Sequence, residues 1–484
     1  MKNKKYLYAL FILFIAGFSL YYYYLVIINR NYPVTGDEFS YLFQAKLFAA
    51  VKYRAPSHSL KGFFNCQYIV NNGAVFSKYF FGWPLLLSIG LKLFCASIMA
   101  PFLSVLALFF TFLISKLLYD SKTGLLAVLI SAGSLFYIIY SGSYLSQPLA
   151  HFLTAAGVYL YLNMLKSSHT KRLLNAVSTS FCIGYLFNVR PYDSVLLLLS
   201  LMIIGYILKA QYSKYKFTFC DMAALFFPFG IMLGLFFFYN YLQTGNILRT
   251  PYVLYNHFDR LGFGIVGLDD QSLLKHTVLR GLLNIAKSYY NLMLLLPPGA
   301  LFLMFIGITL KTSREDLAIA VFLAAISLGY IFYFYDDARY FYIISFAIFI
   351  LITRGIIKIK NILENYSPRK GVFLMATALS LALFIHWSIV LPKFFQERKN
   401  NLKITLAPYD LVRQKKIKNS IIFMKHVPVH KPDFYIRNDF LLKNDILYAL
   451  QLNNLASLHF YYPEKNFYIY EYNPRDLSEK LEKI

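Results

Sequence analysis

Long apolar runs are the feature that most constrains how this chain folds. Of its 484 residues, 58% are hydrophobic and only 15% are charged, whereas water-soluble domains carry about 25% charged residues. A helix needs roughly 20 apolar residues to cross a bilayer. The runs therefore predict a polytopic α-helical membrane protein. About eleven spans are predicted, near residues 6–28, 101–118, 123–141, 147–165, 172–188, 194–210, 218–241, 286–310, 316–335, 340–357 and 371–391.

The basic residues predict the orientation of these spans. Cytoplasmic loops are enriched in Lys and Arg, so Lys2, Lys4 and Lys5 indicate a cytoplasmic N-terminus. If the spans alternate in direction, most other basic loop residues then lie on the cytoplasmic side. This holds only if the short apolar segment 83–96 does not cross the membrane but lies on the outer face as an interfacial helix. This bias also accounts for the net charge of +25, so no nucleic-acid partner is predicted. The basic residues placed inside are Lys116, Lys122, Lys166, Lys171, Arg172, Lys209, Lys214, Lys216, Lys311, Arg314, Arg354, Lys358, Lys360, Arg369 and Lys370.

Two large outer loops and a polar tail complete the predicted organisation. The membrane domain covers residues 1–392, with a first outer loop at 29–100 that carries interfacial helices and a second at 243–283. Its first span is expected to be retained, because the apolar run exceeds that of a signal peptide and no small-residue cleavage site follows it. The tail, 393–484, contains β-rich segments such as Ser420–Met424. It predicts a small extracytoplasmic α/β domain.

An acidic pair, Asp37 and Glu38, directly follows the first span. Thr35 stands three residues before Glu38, which is the spacing of a helix capping box. Glu38 is therefore either a capping residue or part of a site. Asp37 is not needed for the cap, and we predict that it carries chemistry as a proton acceptor.

Cations and tyrosines recur on the predicted outer face, at the start of the interfacial helix and in short turns between spans. Isolated basic residues there are costly unless they are paired or functional, and the alternative reading is snorkelling or an Arg–Asp pair within each turn. Beside a carboxylate on the same face, they suit transfer of a group from a phosphate-bearing lipid. Cations stabilise the charge that grows on the leaving phosphate, and the carboxylate takes the proton of an incoming hydroxyl. The residues concerned are Lys78, Tyr79, Arg190, Asp193, Arg339 and Tyr340.

A series of short motifs resembles the polyprenyl-phosphate-dependent GT-C glycosyltransferases, and more closely their family 39 branch of protein mannosyltransferases and aminoarabinose transferases. The resemblance covers most of the chain, including the tail. The order and spacing of the motifs carry it. They are Asp37-Glu38, Lys78-Tyr-x-x-Gly-Trp-Pro-Leu-Leu-Leu87, Ser143-Tyr-Leu-Ser-Gln-Pro148, Asn188-Val-Arg-Pro-Tyr-Asp193, Gly245-Asn-Ile-Leu-Arg-Thr-Pro-Tyr252 and Ala338-Arg-Tyr-Phe-Tyr342.

The resemblance implies an enzyme of the outer face of a prokaryotic plasma membrane that transfers a sugar, with inversion, from a polyprenyl phosphate to an acceptor hydroxyl. Asp37 falls on the catalytic aspartate, with Glu38 beside it. Ser40 stands where relatives often have an arginine, so Arg190 or Arg339 is expected to supply that phosphate contact. The donor-phosphate residues are then Lys78, Arg190, Arg339 and Tyr41, and the substrate-pocket candidates are Tyr79, Asp193 and Tyr340.

Two other readings stay open. One is a transporter of lipid or polysaccharide with a regulatory outer domain, although the sequence shows no internal repeat of the kind common in transporters. The other is an oligosaccharyltransferase or ligase-like enzyme, which moves a larger glycan by the same chemistry. No cofactor or metal is predicted, because His58 and His257 have no partner at ligand spacing and the four cysteines are scattered. The sugar is left open, as is the acceptor, which is a lipid, a polysaccharide or a protein.

Overall fold

The structure is a computed structural model that describes residues 2–212, 218–268, 272–425, 437–452, 455–473 and 478–484. Lys214 and Lys216, which belong to one predicted cytoplasmic loop, lie outside the described residues. The described part is mostly helical. Its helices are α1 Lys2–Tyr23, α2 Gly36–Ala49, α3 Gly82–Leu93, α4 Met99–Leu118, α5 Ser121–Gly133, α6 Leu135–Ser141, α7 Gln147–Lys166, α8 His169–Phe187, α9 Pro191–Tyr212, α10 Phe219–Thr244, α11 Pro251–Tyr255, α12 Val278–Leu295, α13 Ala300–Thr309, α14 Arg314–Gly329, α15 Ser345–Tyr366, α16 Pro368–Ile385, α17 Leu391–Gln414 and α18 Leu455–Tyr461.

Short strands occur in the loops and in the tail. They are β1 Ala55–Pro56, β2 Ile69–Asn72, β3 Ala74–Ser77, β4 Gly264–Val266, β5 Leu274–His276, β6 Ser420–Lys425, β7 Ile446–Leu450, β8 Asn466–Asn473 and β9 Ser478–Lys483.

Within the described ranges, 7 helical stretches are long and apolar enough to cross a membrane, and up to 9 if the two bent pairs each count as one span. The bent pairs are α5 with α6, at 69°, and α12 with α13, at 117°. These helices confirm a polytopic membrane fold, but not the predicted number of spans. The predicted spans at 147–165 and 172–188 do fold as helices, α7 and α8. They are not among the sufficiently apolar stretches, because polar residues interrupt their apolar runs.

The chain divides into two compact units. One, the membrane unit, contains residues 1–25, 97–239 and 256–393, and the other, the loop–tail unit, contains 26–96, 240–255 and 394–484. The tail therefore belongs to one unit with most of the first outer loop. The predicted boundary between residues 392 and 393 stays a prediction.

In the membrane unit, the first half of α15 is almost entirely apolar and almost fully buried. It packs closely on α13 through two glycines. A Cβ at Gly307 would lie 2.0 Å from the Leu351 carbonyl oxygen, and one at Gly355 would lie 1.9 Å from that of Leu303. Small residues allow this close approach of backbones between membrane helices.

Several cations of the membrane unit are paired within the fold. Arg172 forms a buried ion pair with Asp221, at 2.9 Å. Asp316 pairs with Arg354 at 2.8 Å and with Lys358 at 2.9 Å. Arg172, Arg354 and Lys358, which were predicted to face the cytoplasm, thus form ion pairs that join neighbouring helices.

In the loop–tail unit, the predicted α/β tail is confirmed as a four-stranded sheet in the order β7-β6-β8-β9. Strands β7, β6 and β8 are parallel, and β9 is antiparallel to β8. Alternate residues of β6 are buried on opposite faces, as is usual for parallel strands covered on both sides. Ile421 and Phe423 pack in a core with Phe43 of α2, and Ile422 packs in a second core with Leu406 of α17.

Candidate functional site

The acidic pair lies in the first turn of α2. Thr35 is the N-cap, and its hydroxyl accepts a hydrogen bond from the Glu38 backbone N–H at 3.4 Å. The same hydroxyl lies 3.3 Å from Glu38 Oε1, and the Glu38 side chain is buried. The predicted helix start at Thr35 is confirmed, and the Glu38 side chain interacts with the capping hydroxyl. Asp37 is half-buried at a helix N-terminus, where backbone dipoles stabilise a carboxylate.

A close backbone approach holds this turn against Tyr68. A Cβ at Gly36 would lie 2.8 Å from Gln67 Oε1 and 3.0 Å from the Tyr68 ring, so a larger side chain there would have to displace both. Tyr68 has a positive φ of 62°, which is rare for an aromatic residue and is fixed by hydrogen bonds. Its N–H donates to the Tyr255 hydroxyl at 3.1 Å. Its carbonyl accepts from the Ser40 hydroxyl at 2.8 Å and from the Lys78 N–H at 3.0 Å.

The end of β3 is bound to α2 by side chains one helical turn apart. The Ser40 and Ser77 hydroxyls lie 2.7 Å apart, and Gln44 Oε1 accepts from the Ser77 N–H at 3.0 Å. Ser77 Oγ also accepts from the Tyr79 N–H at 3.0 Å. Ser40, at the position where the resemblance expects an arginine, therefore fixes the strand end that carries Lys78 and Tyr79.

Tyr79 donates a short hydrogen bond from its hydroxyl to Asp37 Oδ1. Burial first, and then the Asp37 carboxylate, raise the pKa of Tyr79 well above its ordinary value. The phenol therefore stays neutral and acts as a donor, not as a base. Its ring packs on that of Tyr41, with 4.5 Å between centroids, so three of the predicted site residues meet at this point.

Lys78 is almost completely buried, at 2% exposure, and tyrosine rings surround its ammonium group. The Nζ atom lies 4.0 Å from the ring centroid of Tyr68, 5.0 Å from that of Tyr252, 5.2 Å from that of Tyr255 and 5.3 Å from that of Tyr79. Such distances give cation–π attraction, which is stronger when the cation is desolvated. We call these four side chains the tyrosine cage. It keeps a positive charge buried beside the Asp37–Tyr79 pair.

A second cluster lies in the membrane unit, at the start of α9. Arg190 and Asp193 form a short ion pair, and the Tyr330 hydroxyl donates a short hydrogen bond to the same carboxylate. Tyr192 donates to the Gly329 carbonyl, which joins the same two segments. The sequence left open an Arg–Asp pair within this turn, and the structure contains that pair. The Asp193 carboxylate accepts hydrogen bonds from Arg190 and from the Tyr330 hydroxyl.

Arg339 pairs with Asp337, at 3.2 Å between Nε and Oδ2. The Tyr140 hydroxyl donates to the same carboxylate at 3.4 Å. The Arg339 guanidinium carbon lies 5.4 Å from the Tyr340 ring centroid, and that of Arg190 lies 5.7 Å from it. Two arginines far apart in sequence therefore meet at one tyrosine ring.

The structure brings the candidates together in two groups, each within one unit. Asp37, Glu38, Tyr41, Lys78 and Tyr79 belong to the loop–tail unit, and the remaining candidates belong to the membrane unit. Sequence reasoning missed several partners of these groups. Of these, only Tyr252 had a signal in the sequence, because it ends a motif of the resemblance. The missed residues are Tyr68, Tyr252, Tyr255 and Tyr330, whereas the pair of Asp337 with Arg339 is the alternative that the sequence left open.

No group of three or more His, Cys, Asp or Glu side chains that could hold a metal ion occurs among the residues with described positions. His58 in the loop–tail unit lies against the ring of Tyr462, at 5.9 Å between centroids. Burial lowers the pKa of His58. The absence of a metal and of a cofactor stays a prediction.

No protein-family model matches the chain, and no curated protein matches its sequence. Solved structures do match. The fold is similar to that of ArnT from Cupriavidus metallidurans bound to undecaprenyl phosphate, with a TM-score of 0.56 and 10% identity over 96% of this chain and 93% of that one. The apo state of the same protein gives a TM-score of 0.55 and 12% identity, with the same coverage.

The oligosaccharyltransferase of Archaeoglobus fulgidus in its apo form is also similar, with a TM-score of 0.53 and 12% identity over 91% of this chain. This chain spans only 64% of the length of that protein. At this identity the likeness shows the fold alone, and it confirms the predicted polytopic helical fold with a small C-terminal domain as an ArnT-like fold.

Proposed function

We propose that this protein is a glycosyltransferase that acts at the outer face of the plasma membrane. It transfers a sugar from a polyprenyl-phosphate donor to an acceptor hydroxyl, with inversion at the anomeric carbon. The observation that carries the proposal is the Asp37 carboxylate, which accepts a hydrogen bond from Tyr79, next to the caged cation of Lys78. The fold likeness to a protein bound to undecaprenyl phosphate supports the choice of donor.

In the proposed reaction, the acceptor oxygen attacks the anomeric carbon of the donor sugar. The bond between that carbon and the phosphate oxygen breaks, and the polyprenyl phosphate leaves with the electron pair. Asp37 takes the proton of the acceptor hydroxyl as general base. Tyr79 orients the Asp37 carboxylate, and its raised pKa keeps it protonated throughout.

The phosphate is stabilised by positive charge in a site from which water is excluded. Lys78 supplies such a charge, and a buried charge acts more strongly than an exposed one because the local dielectric is low. Arg190 and Arg339, which meet at Tyr340, are proposed as the further phosphate-binding residues. Their present carboxylate partners, Asp193 and Asp337, would then compete with the donor phosphate for them.

The N-terminus is proposed to lie in the cytoplasm of a prokaryote.

The proposal is tested by Asp37→Asn in membranes of cells that lack the native gene, with the transferred product identified by mass spectrometry. General-base catalysis typically contributes about 100- to 10,000-fold, so transfer should fall by that factor while insertion stays normal. Asp410→Asn is the matched control. Asp410 is also in the loop–tail unit, but it pairs with Arg30 at the surface, at 2.9 Å, and its loss should leave transfer unchanged. Near-normal transfer by Asp37→Asn would exclude the proposed base.

A second substitution tests the donor site. Lys78→Met keeps the length of the side chain and removes its charge, so the donor concentration needed for half-maximal transfer should rise. If only the acceptor dependence changed, Lys78 would belong to the acceptor site.

The fold likeness to an oligosaccharyltransferase favours one other function, the transfer of a whole glycan. The mass of the product distinguishes it, because one added sugar supports the first proposal and an oligosaccharide the second. Flux of lipid or polysaccharide in reconstituted vesicles, without a covalent product, would favour a transporter instead.

A further inference from the structure

A cleft of about 530 Å³ lies at the opposite end of α2 from Asp37. Its walls are the loop that follows α2 and the turn between β2 and β3. Two cations, Lys52 and Arg54, line it, and none of its lining residues in the described part of the chain is a carboxylate. The lining residues are Val51, Lys52, Tyr53, Arg54, Ala55, Pro56, Asn72, Gly73 and Ala74.

The cleft is attached to the end of a membrane helix. Gln243 lies in the last turn of α10, an apolar helix of 26 residues that is long enough to cross a bilayer. Its side-chain amide donates to the Tyr53 carbonyl at 2.9 Å, and the Gln44 amide donates to the same oxygen at 2.9 Å. Two hydrogen bonds therefore fix the Tyr53 carbonyl, and one of them comes from the last turn of this apolar helix. The ends of a helix that crosses a bilayer lie in the headgroup region.

Val51 is unusual in both conformation and exposure. Its φ is +57°, a conformation that is strained for a β-branched residue, and its side chain is 85% exposed. The positive φ belongs to a Schellman motif that ends α2, in which the Val51 N–H donates to the Phe48 carbonyl and the Lys52 N–H donates to the Leu47 carbonyl, both at 2.9 Å. This helix end presents the exposed Val51 side chain at the wall of the cleft.

The neighbouring side chains suit a membrane interface. Tyr53 is 37% exposed, and tyrosine is enriched at the boundary between lipid and water. The Arg54 guanidinium carbon lies 5.2 Å from the Tyr53 ring centroid, and Lys52 Nζ lies 5.3 Å from that of Phe440. Each of the two cations at the cleft thus makes a cation–π contact with an aromatic ring.

We propose that this cleft binds the anionic headgroup of a membrane phospholipid. Lys52 and Arg54 hold the headgroup phosphate, and Val51 and Tyr53 contact the adjoining acyl boundary. The site is separate from Asp37 and does not depend on the proposed transfer reaction. It would anchor the loop–tail unit to the bilayer surface.

The test measures lipid binding by native mass spectrometry of the purified full chain, with phosphatidylglycerol and phosphatidylcholine as probes. Each cation near an anionic surface contributes about a fivefold gain in affinity, so Lys52→Gln with Arg54→Gln should weaken phosphatidylglycerol binding roughly 30-fold. Phosphatidylcholine binding should change much less. The control is Lys399→Gln with Lys418→Gln, which removes two exposed charges of the same unit and should leave phosphatidylglycerol binding unchanged.

A second variant separates binding from folding. Val51→Gly relieves the strained backbone, since glycine adopts positive φ readily, so the fold should be at least as stable while phosphatidylglycerol binding weakens. Equal phosphatidylglycerol binding by wild type and the Lys52–Arg54 double variant would overturn the proposal. It would also be overturned if that variant lost binding of tetragalacturonate, a soluble acidic glycan, and kept binding of phosphatidylglycerol.

Discussion

Tyr79→Phe tests the contact that defines the candidate site. The substitution removes only the hydroxyl that donates to Asp37. The ring keeps its neighbours, because it packs on Tyr41 at 4.5 Å and on Tyr252 at 5.2 Å between centroids. The folded state should therefore persist, and any loss of transfer reports on the hydrogen bond.

The size of the effect follows from the charge of the acceptor. A hydrogen bond to a charged group contributes about 1.5–3 kcal/mol, and each 1.4 kcal/mol corresponds to roughly a factor of ten. If the bond orients the base in the transition state, the turnover rate should fall by about 10- to 150-fold. The donor KM should change little, because Tyr79 acts through Asp37 and not through the donor.

The assay follows transfer from a polyprenyl-phosphate sugar at several donor concentrations, so that turnover and KM are separated. Tyr468→Phe is a matched control, because it removes the same hydroxyl from β8 of the tail sheet. A turnover rate for Tyr79→Phe within about threefold of wild type, far below the range expected for a bond to a charged group, would refute the orienting role.

Two further predictions follow from the tyrosines of the loop–tail unit. Tyr252→Leu removes a ring 5.0 Å from the Lys78 ammonium and should raise the donor KM several-fold, whereas Tyr252→Phe keeps the ring face and should behave as wild type. Burial raises the pKa of Tyr448 to about 12 and raises that of Tyr79 well above its ordinary value, so both stay neutral when folded. Because an unfolded tyrosine ionises near pH 10, these tyrosines should not change the melting temperature of the full chain below about pH 10. It should fall as the pH rises above that value, and a melting temperature that stayed constant to pH 12 would contradict this reading.

The helical framework could be predicted because bilayer thickness imposes a minimum length on apolar runs. Each predicted span overlaps a helix or a bent helix pair of the structure. The number of true spans could not be predicted, because α7 and α8 carry polar residues and α5 and α12 end at sharp bends. Local signals were also readable. Thr35, three residues before Glu38, correctly predicted the start of α2.

The contacts within the candidate site could not be predicted from the sequence. The bond between Asp37 and Tyr79 depends on how β3 returns to α2 through Ser40 and Ser77, and no local pattern specifies that return. The tyrosine cage needs α11, which lies far along the chain. Likewise, the packing of Phe43 on one face of β6 is a contact between segments far apart in the sequence, and no local pattern indicates it.

The most direct test of the central claim is a single-turnover reaction of the full chain with an undecaprenyl-phosphate-linked sugar and its acceptor. We expect one molecule of undecaprenyl phosphate to be released for each sugar transferred, with inverted configuration at the anomeric carbon, and release by Asp37→Asn to be slower by about 100- to 10,000-fold. Transfer with retained configuration, or undiminished release by Asp37→Asn, would contradict this claim.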